Sequence, residues 1–156
     1  MSEDRTLTAA FIRQGSSWPS LKRQAHRRGP FARIRFFDTV GPEEAAARLR
    51  GARVSLATLV PRKGYGFTAP TKLYASVAVG TPVVHAGPPA VGAVIEKNRI
   101  GVAASYDRPS FVRALRTALD SADGAPDRRL IDWAQENLSV EEVAKRAGDA
   151  IEAALR

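Results

Sequence analysis

Cysteine is absent from this chain, which has one methionine and two histidines. Disulfides and thiolate metal sites are therefore excluded. His26 lies in a basic run and His85 follows Val83 and Val84, settings too unlike for a shared metal. Aromatic residues make up only 7%. No apolar run approaches the roughly 20 residues that a membrane-spanning helix needs. The opening MSEDRT is acidic and polar, unlike a secretory leader, and sets the expectation of a cytoplasmic protein. The chain also lacks a P-loop, a G-x-S-x-G elbow, a G-x-G-x-x-G fingerprint and any carboxylate pair at hydrolytic spacing.

What the chain does have is enough apolar material for a core. Its 156 residues are 44% hydrophobic and 26% charged, which fits one globular domain over 1–156. The net charge is +8. Residues 1–70 hold 13 Lys/Arg and 5 Asp/Glu, whereas residues 71–156 hold 11 of each, so the basic excess lies in the first part. Such an excess suits a phosphate-rich ligand, an anionic membrane carrying an acceptor, or nucleic acid; it equally suits solvated arginine-rich faces.

Strand-like apolar runs alternate with helical periodicity. Leu7 to Ile12 reads as a strand. Ser17 offers a cap for a helix whose Trp18, Leu21 and Ala25 share a face, and Gly29 stops it. Arg33 to Phe37 alternates as a second strand. Pro42 opens a helix with Glu43 and Glu44 in its first turn and Arg48 and Arg50 in its last, an order that complements the helix dipole. Val54 to Leu59, Pro82 to His85 and Gly101 to Ala104 are further strands. Pro89 to Asn98 reads as a helix with Val91, Val94 and Ile95 inside. Helices fill about 109–155: one with Phe111, Val112, Leu115 and Leu119 on a face, one over 126–137, and a last one begun by a Ser139/Glu142 capping box with Val143, Ala147, Ile151 and Leu155 at helical spacing. This alternation predicts an α/β fold, a Rossmann-like parallel sheet with helices on both faces. Ligands bind such sheets beyond the carboxyl ends of the strands.

The most informative stretch is FTAPTKLYASVAVGTPVV, from Phe67 to Val84. Pro70 and Thr71 open a short helix, Leu73, Tyr74 and Val77 give it an apolar face, Gly80 ends it and Pro82 blocks continuation. A helix start facing a loop that contains Arg62 and Lys63 suits an anion, because unpaired N–H groups and the dipole both favour negative charge. Thr71 and Lys72 are the first candidates for phosphate contact, against the plainer reading of a helix-start threonine and a solvated lysine. Arg62 and Lys63 are the second, against ordinary solvated loop charges.

This stretch resembles the donor-binding half of a GT-B glycosyltransferase of the retaining, nucleotide-sugar-dependent kind (group 1, family 4 type). The residues that carry the likeness are Pro70, Thr71, Lys72, Leu73 and Tyr74, then Gly80, Pro82, Val83 and Val84. Ala75 departs from it: the family places a glutamate there that accepts from ribose hydroxyls, and Ser76 points about 100° further round the helix. The resemblance implies a nucleoside diphosphate sugar as ligand and no other cofactor. It implies nucleotide contacts at Val40, Gly41, Leu73 and Ser76, diphosphate contacts at Thr71, Lys72, Arg62 and Lys63, and sugar or phosphate contact at His85 and Gly15. His85 could donate to a phosphate or sugar hydroxyl, but it reads more readily as an ordinary strand-end histidine. No catalytic residue and no metal ligand is assigned.

On this resemblance the acceptor-binding half of the enzyme has no counterpart here. Leu7–Ile12 matches the second strand of the donor half, because Gly15 falls where the family has a glycine. The central first strand and its phosphate loop are then missing, which leaves open edges. The expectation is a homodimer, or a separate partner chain supplying the N-terminal half. The alternative alignment makes Leu7–Ile12 the first strand of a complete five-stranded sheet. Three functions follow: a donor-binding domain inactive by itself, a non-catalytic interaction subunit derived from that fold, and a nucleic-acid binder using the basic helix 18–28. The last has no helix-turn-helix partner or zinc site beside it.

Overall fold

The computed structural model describes residues 7–12, 15–29, 33–61, 66 and 68–155. The chain divides into two compact units, Met1–Ala45 and Ala46–Arg156. Both are α/β, and every strand pair is parallel.

The first unit carries β1 (Ala9–Ile12), α1 (Trp18–Arg27), β2 (Ile34–Phe37) and the start of α2 (Pro42–Arg50). β1 pairs with β2 from Ala9↔Ile34 to Ile12↔Phe37. α1 has proline in its first turn and His26 and Arg27 in its last, and Gly29 at φ 80° leads the chain out of it. Ser17 makes no side-chain cap, contrary to the sequence expectation, because it already has right-handed helical backbone angles. Its hydroxyl is therefore not aimed at the first-turn N–H groups as an extended N-cap residue would be.

The second unit carries β3 (Ser55–Thr58), α3 (Thr71–Ala78), β4 (Val83–Ala86), α4 (Pro89–Asn98), β5 (Gly101–Ala104), α5 (Arg108–Ser121), α6 (Arg128–Leu138) and α7 (Val140–Ala154). Its sheet order is β3-β4-β5. Ser55↔Val83 and Val83↔Gly101 set the register. Among the described residues the strands form two sheets, of two and three strands, rather than one five-stranded sheet.

Alternation along β4 sends side chains to both faces, and all its residues are buried. Ala57 and Val83 face a cluster with Leu73 and Val77 of α3, Val91 and Ile95 of α4, and Leu130 and Ala134 of α6. Val84 faces the opposite way, against Ala114 and Ala118 of α5. Each large aliphatic side chain fully buried here contributes roughly 1.5–3 kcal/mol.

Several termini are fixed by identifiable contacts. α3 ends at Gly80, φ 84°, where a Cβ would lie 2.9 Å from the Asp127 nitrogen. Asp107, Asp127 and Ser139 cap α5, α6 and α7 by accepting from Ser110, Arg129 and Glu142 backbone N–H groups. Arg99, in the left-handed region at φ 53°, ends α4.

Three amphipathic readings shift. Val94 is exposed, while Val91 and Ile95 are buried. On α5 the buried line runs through Ala114 and Ala118, and Val112 lies outside it. The stripe of α7 faces solvent, with Val143 53%, Ile151 61% and Leu155 82% exposed. Periodicity shows that a face is apolar; it does not show what covers it.

Candidate functional site

The β3–α3–β4 crossover determines where the helix start lies. β3 and β4 are parallel, so α3 must run back and begin at the carboxyl ends of the strands. Pro70 is its N-cap residue, extended at φ −64° and ψ 128°, and makes no side-chain cap. No acidic residue occupies the first turn. Thr71 and Lys72 are both exposed there. Leu73 N–H reaches back to Pro70 O at 2.9 Å, which closes the first turn behind them.

The remaining expected contacts fall in varied places. Leu73 and Ser76 are each 1% exposed. Leu73 belongs to the core, and Ser76 donates its hydroxyl to Lys72 O at 2.8 Å. Ala75 is exposed and presents only a methyl group on the helix surface. Gly15, Val40 and Gly41 belong to the first unit; Gly15 and Gly41 are exposed, and among the described residues beyond their chain neighbours nothing lies within 4 Å of a Cβ placed on either. Arg62 and Lys63 lie outside the described residues.

His85 is the site residue whose environment differs most from the sequence reading. It is 1% exposed, near the carboxyl end of β4. Its Nδ1 lies 3.0 Å from Ala57 O. A carbonyl only accepts, so Nδ1 carries the proton and donates. Burial pushes the imidazole below its ordinary value, opposed by that hydrogen bond. The neutral ring leaves Nε2 as a buried acceptor with no partner among the described residues. Gly87 passes directly over this edge; a Cβ there would lie 2.8 Å from Nε2 and 2.9 Å from Leu59 O. In this state His85 accepts at Nε2, so it suits a hydroxyl or N–H rather than a phosphate oxygen.

A second feature was not anticipated. An open cleft of about 270 Å³ lies at the carboxyl ends of β3 and β4, on the face covered by α5. Thr58 and Ala86 line it from the strands, and Tyr106, Asp107, Arg108 and Phe111 from the start of α5. The Asp107 carboxyl is held below its ordinary value chiefly by the Ser110 N–H. None of the residues predicted from the α3 stretch lines this cleft. Its sequence signal was the Asp-Arg-Pro run at 107–109, a helix start following a strand.

Among the described residues no group of three or more His, Cys, Asp or Glu is placed to hold a metal ion, and no helix is long and apolar enough to cross a membrane. Compared with known proteins, the chain matches no family model and has no significant match to a curated protein.

Proposed function

We propose that the chain is a glycosyltransferase-like donor-binding domain that recognises a nucleoside diphosphate sugar and requires a separate acceptor-binding half for transfer. One observation carries this reading. The PTKLY helix begins, with no side-chain cap from its N-cap residue Pro70 and with Thr71 and Lys72 exposed, at the carboxyl ends of two parallel strands. First-turn N–H groups, the helix dipole and the nearby charge of Lys72 together suit a diphosphate. The division into a two-stranded and a three-stranded parallel sheet is also what the loss of a central strand would leave.

The protein's contribution to transfer would be to hold the diphosphate and offset charge developing on it as the sugar leaves. Calorimetry with uridine, guanosine and thymidine diphosphates tests the reading. One of the three binds, and Lys72→Ala weakens it about five- to tenfold, as loss of one first-turn charge implies. Equal affinities remove Lys72 from the site, and absence of heat with all three nucleotides removes the reading.

The second reading is a non-catalytic subunit derived from the same fold. Ala75 favours it, since an exposed methyl cannot replace the carboxylate that holds ribose in the resembling enzymes. In that case none of the nucleotides binds, while a partner protein does.

A further inference from the structure

We propose that the free edge of β3 pairs with the same edge of a second copy, giving an antiparallel β3–β3 junction across a two-fold axis. The hydrogen-bond pattern defines the edge. Ser55 N–H donates to Pro82 O at 2.9 Å, and Leu59 N–H to Ala86 O at 3.0 Å. Odd-numbered residues of β3 therefore turn their backbone groups toward β4. In a parallel ladder the alternate residues turn the other way, so Leu56 and Thr58 direct N–H and C=O to the side where no strand lies among the described residues.

The side chains mark the same place. Leu56 is 42% exposed and Val60 43%, and Thr58 is also exposed. The opposite edge of the sheet, on β5, directs only Gly101 and Ala103 outward and has no large exposed apolar side chain.

A second copy fits because the strand is complementary to itself. In the run Val54-Ser55-Leu56-Ala57-Thr58-Leu59-Val60 the outward positions read Val, Leu, Thr, Val. A two-fold centred on Ala57 places Leu56 opposite Thr58 of the second copy and Val54 opposite its Val60. Each directly opposed outward pair can exchange both backbone bonds, and β-branched and aliphatic pairs are favourable cross-strand neighbours. Within the paired run Val54–Val60 there is no charge, lysine or proline, the residues that commonly guard an edge strand, so no like charges are placed opposite each other there. Another exposed apolar surface, on α7, is charged by contrast: Glu141, Glu142, Lys145, Arg146, Asp149 and Glu152 flank its stripe. The junction involves neither Thr71 nor Lys72, so its failure would leave the nucleotide-binding test untouched, although both readings draw on the same open edge.

The test is light scattering on the full chain at high micromolar concentration, with two variants that act differently. Leu56→Lys places a charge at the junction. Thr58→Pro removes an outward N–H but no bond to β4, a position where an edge strand tolerates proline. The expected result is wild type at twice the chain mass, with dimer Kd raised about tenfold or more in each variant while far-ultraviolet circular dichroism is unchanged. In the Leu56→Cys/Thr58→Cys double variant, opposed Cα atoms roughly 5.5 Å apart lie within disulfide range, so oxidation links the copies. The native chain has no cysteine, so any such link lies at β3. A monomeric wild type overturns the proposal, whether the edge is vacant or reserved for another protein. A dimer that resists both substitutions also overturns it, because another surface must then hold the copies together.

Discussion

The two units solve the same packing problem with unequal means. In the second, helices cover both faces of β4, and Leu73, Ile95, Ile100, Leu130 and His85 are almost wholly enclosed. In the first, no described residue is buried. Its two-stranded sheet is supported by aromatic side chains that remain half-exposed: Phe36 stacks on Phe11 at 5.4 Å and meets the edge of Trp18 at 5.0 Å. Lys22 lies 5.4 Å from the Trp18 ring and 6.0 Å from that of Phe36. A strand pair with this little enclosure is marginal by itself. The difference shows that a common β-α-β grammar does not imply equal stability, which follows from enclosed apolar area.

The strongest way to break the comparison is at Gly101. A Cβ there falls inside contact distance of the Val83 carbonyl, a backbone atom in the middle of the sheet. Gly101→Ala is expected to cost about 3 kcal/mol, read as a lower urea midpoint for the second unit. Trp18→Ala should act only on the first. Loss of this half-buried ring removes about 2 kcal/mol and raises hydrogen exchange in β1 and β2, leaving β4 amides unchanged. Faster exchange in β4 would show that the two units unfold together.

The mildest probe is pH. The His85 value is lowered in the fold from 6.5, so the unfolded chain takes up the proton first. Stability is fully present above about pH 6.5 and falls as pH drops from there toward the folded value. His85→Gln should flatten that part of the stability–pH curve. An identical slope in wild type and variant would assign the loss to another group.

The order of elements was legible because each carried its own punctuation. Pro89–Asn98 and Gly101–Ala104 have the ends read from sequence, since proline opens α4 and a short apolar run follows Arg99 and Ile100. The turn at Gly80 was likewise legible, because a positive φ after a helix calls for glycine. The enclosure of His85 was not: a histidine at a strand end has the same local signature whether covered or open, and what decides it here includes Ala57 on the neighbouring strand and the close pass of Gly87. The cleft at Thr58 and Phe111 was hidden for a related reason, since it joins residues far apart in sequence across a sheet end. The separation into two sheets depends on pairing between strands, which periodicity within one strand does not contain.

Arg129 has a consequence of another kind. Its guanidinium donates to the carbonyls of Asn98 at 3.4 Å and Arg99 at 2.7 Å, the exposed tail of α4. Trp133 adds a bond from Nε1 to the Asn98 side chain at 3.1 Å. A flat, forked cation spans two successive acceptors, whereas an ammonium is a single point charge. Arginine and lysine are therefore not synonyms at this position, and in this cysteine-free chain α6 is stapled across the fold by shape rather than by covalency.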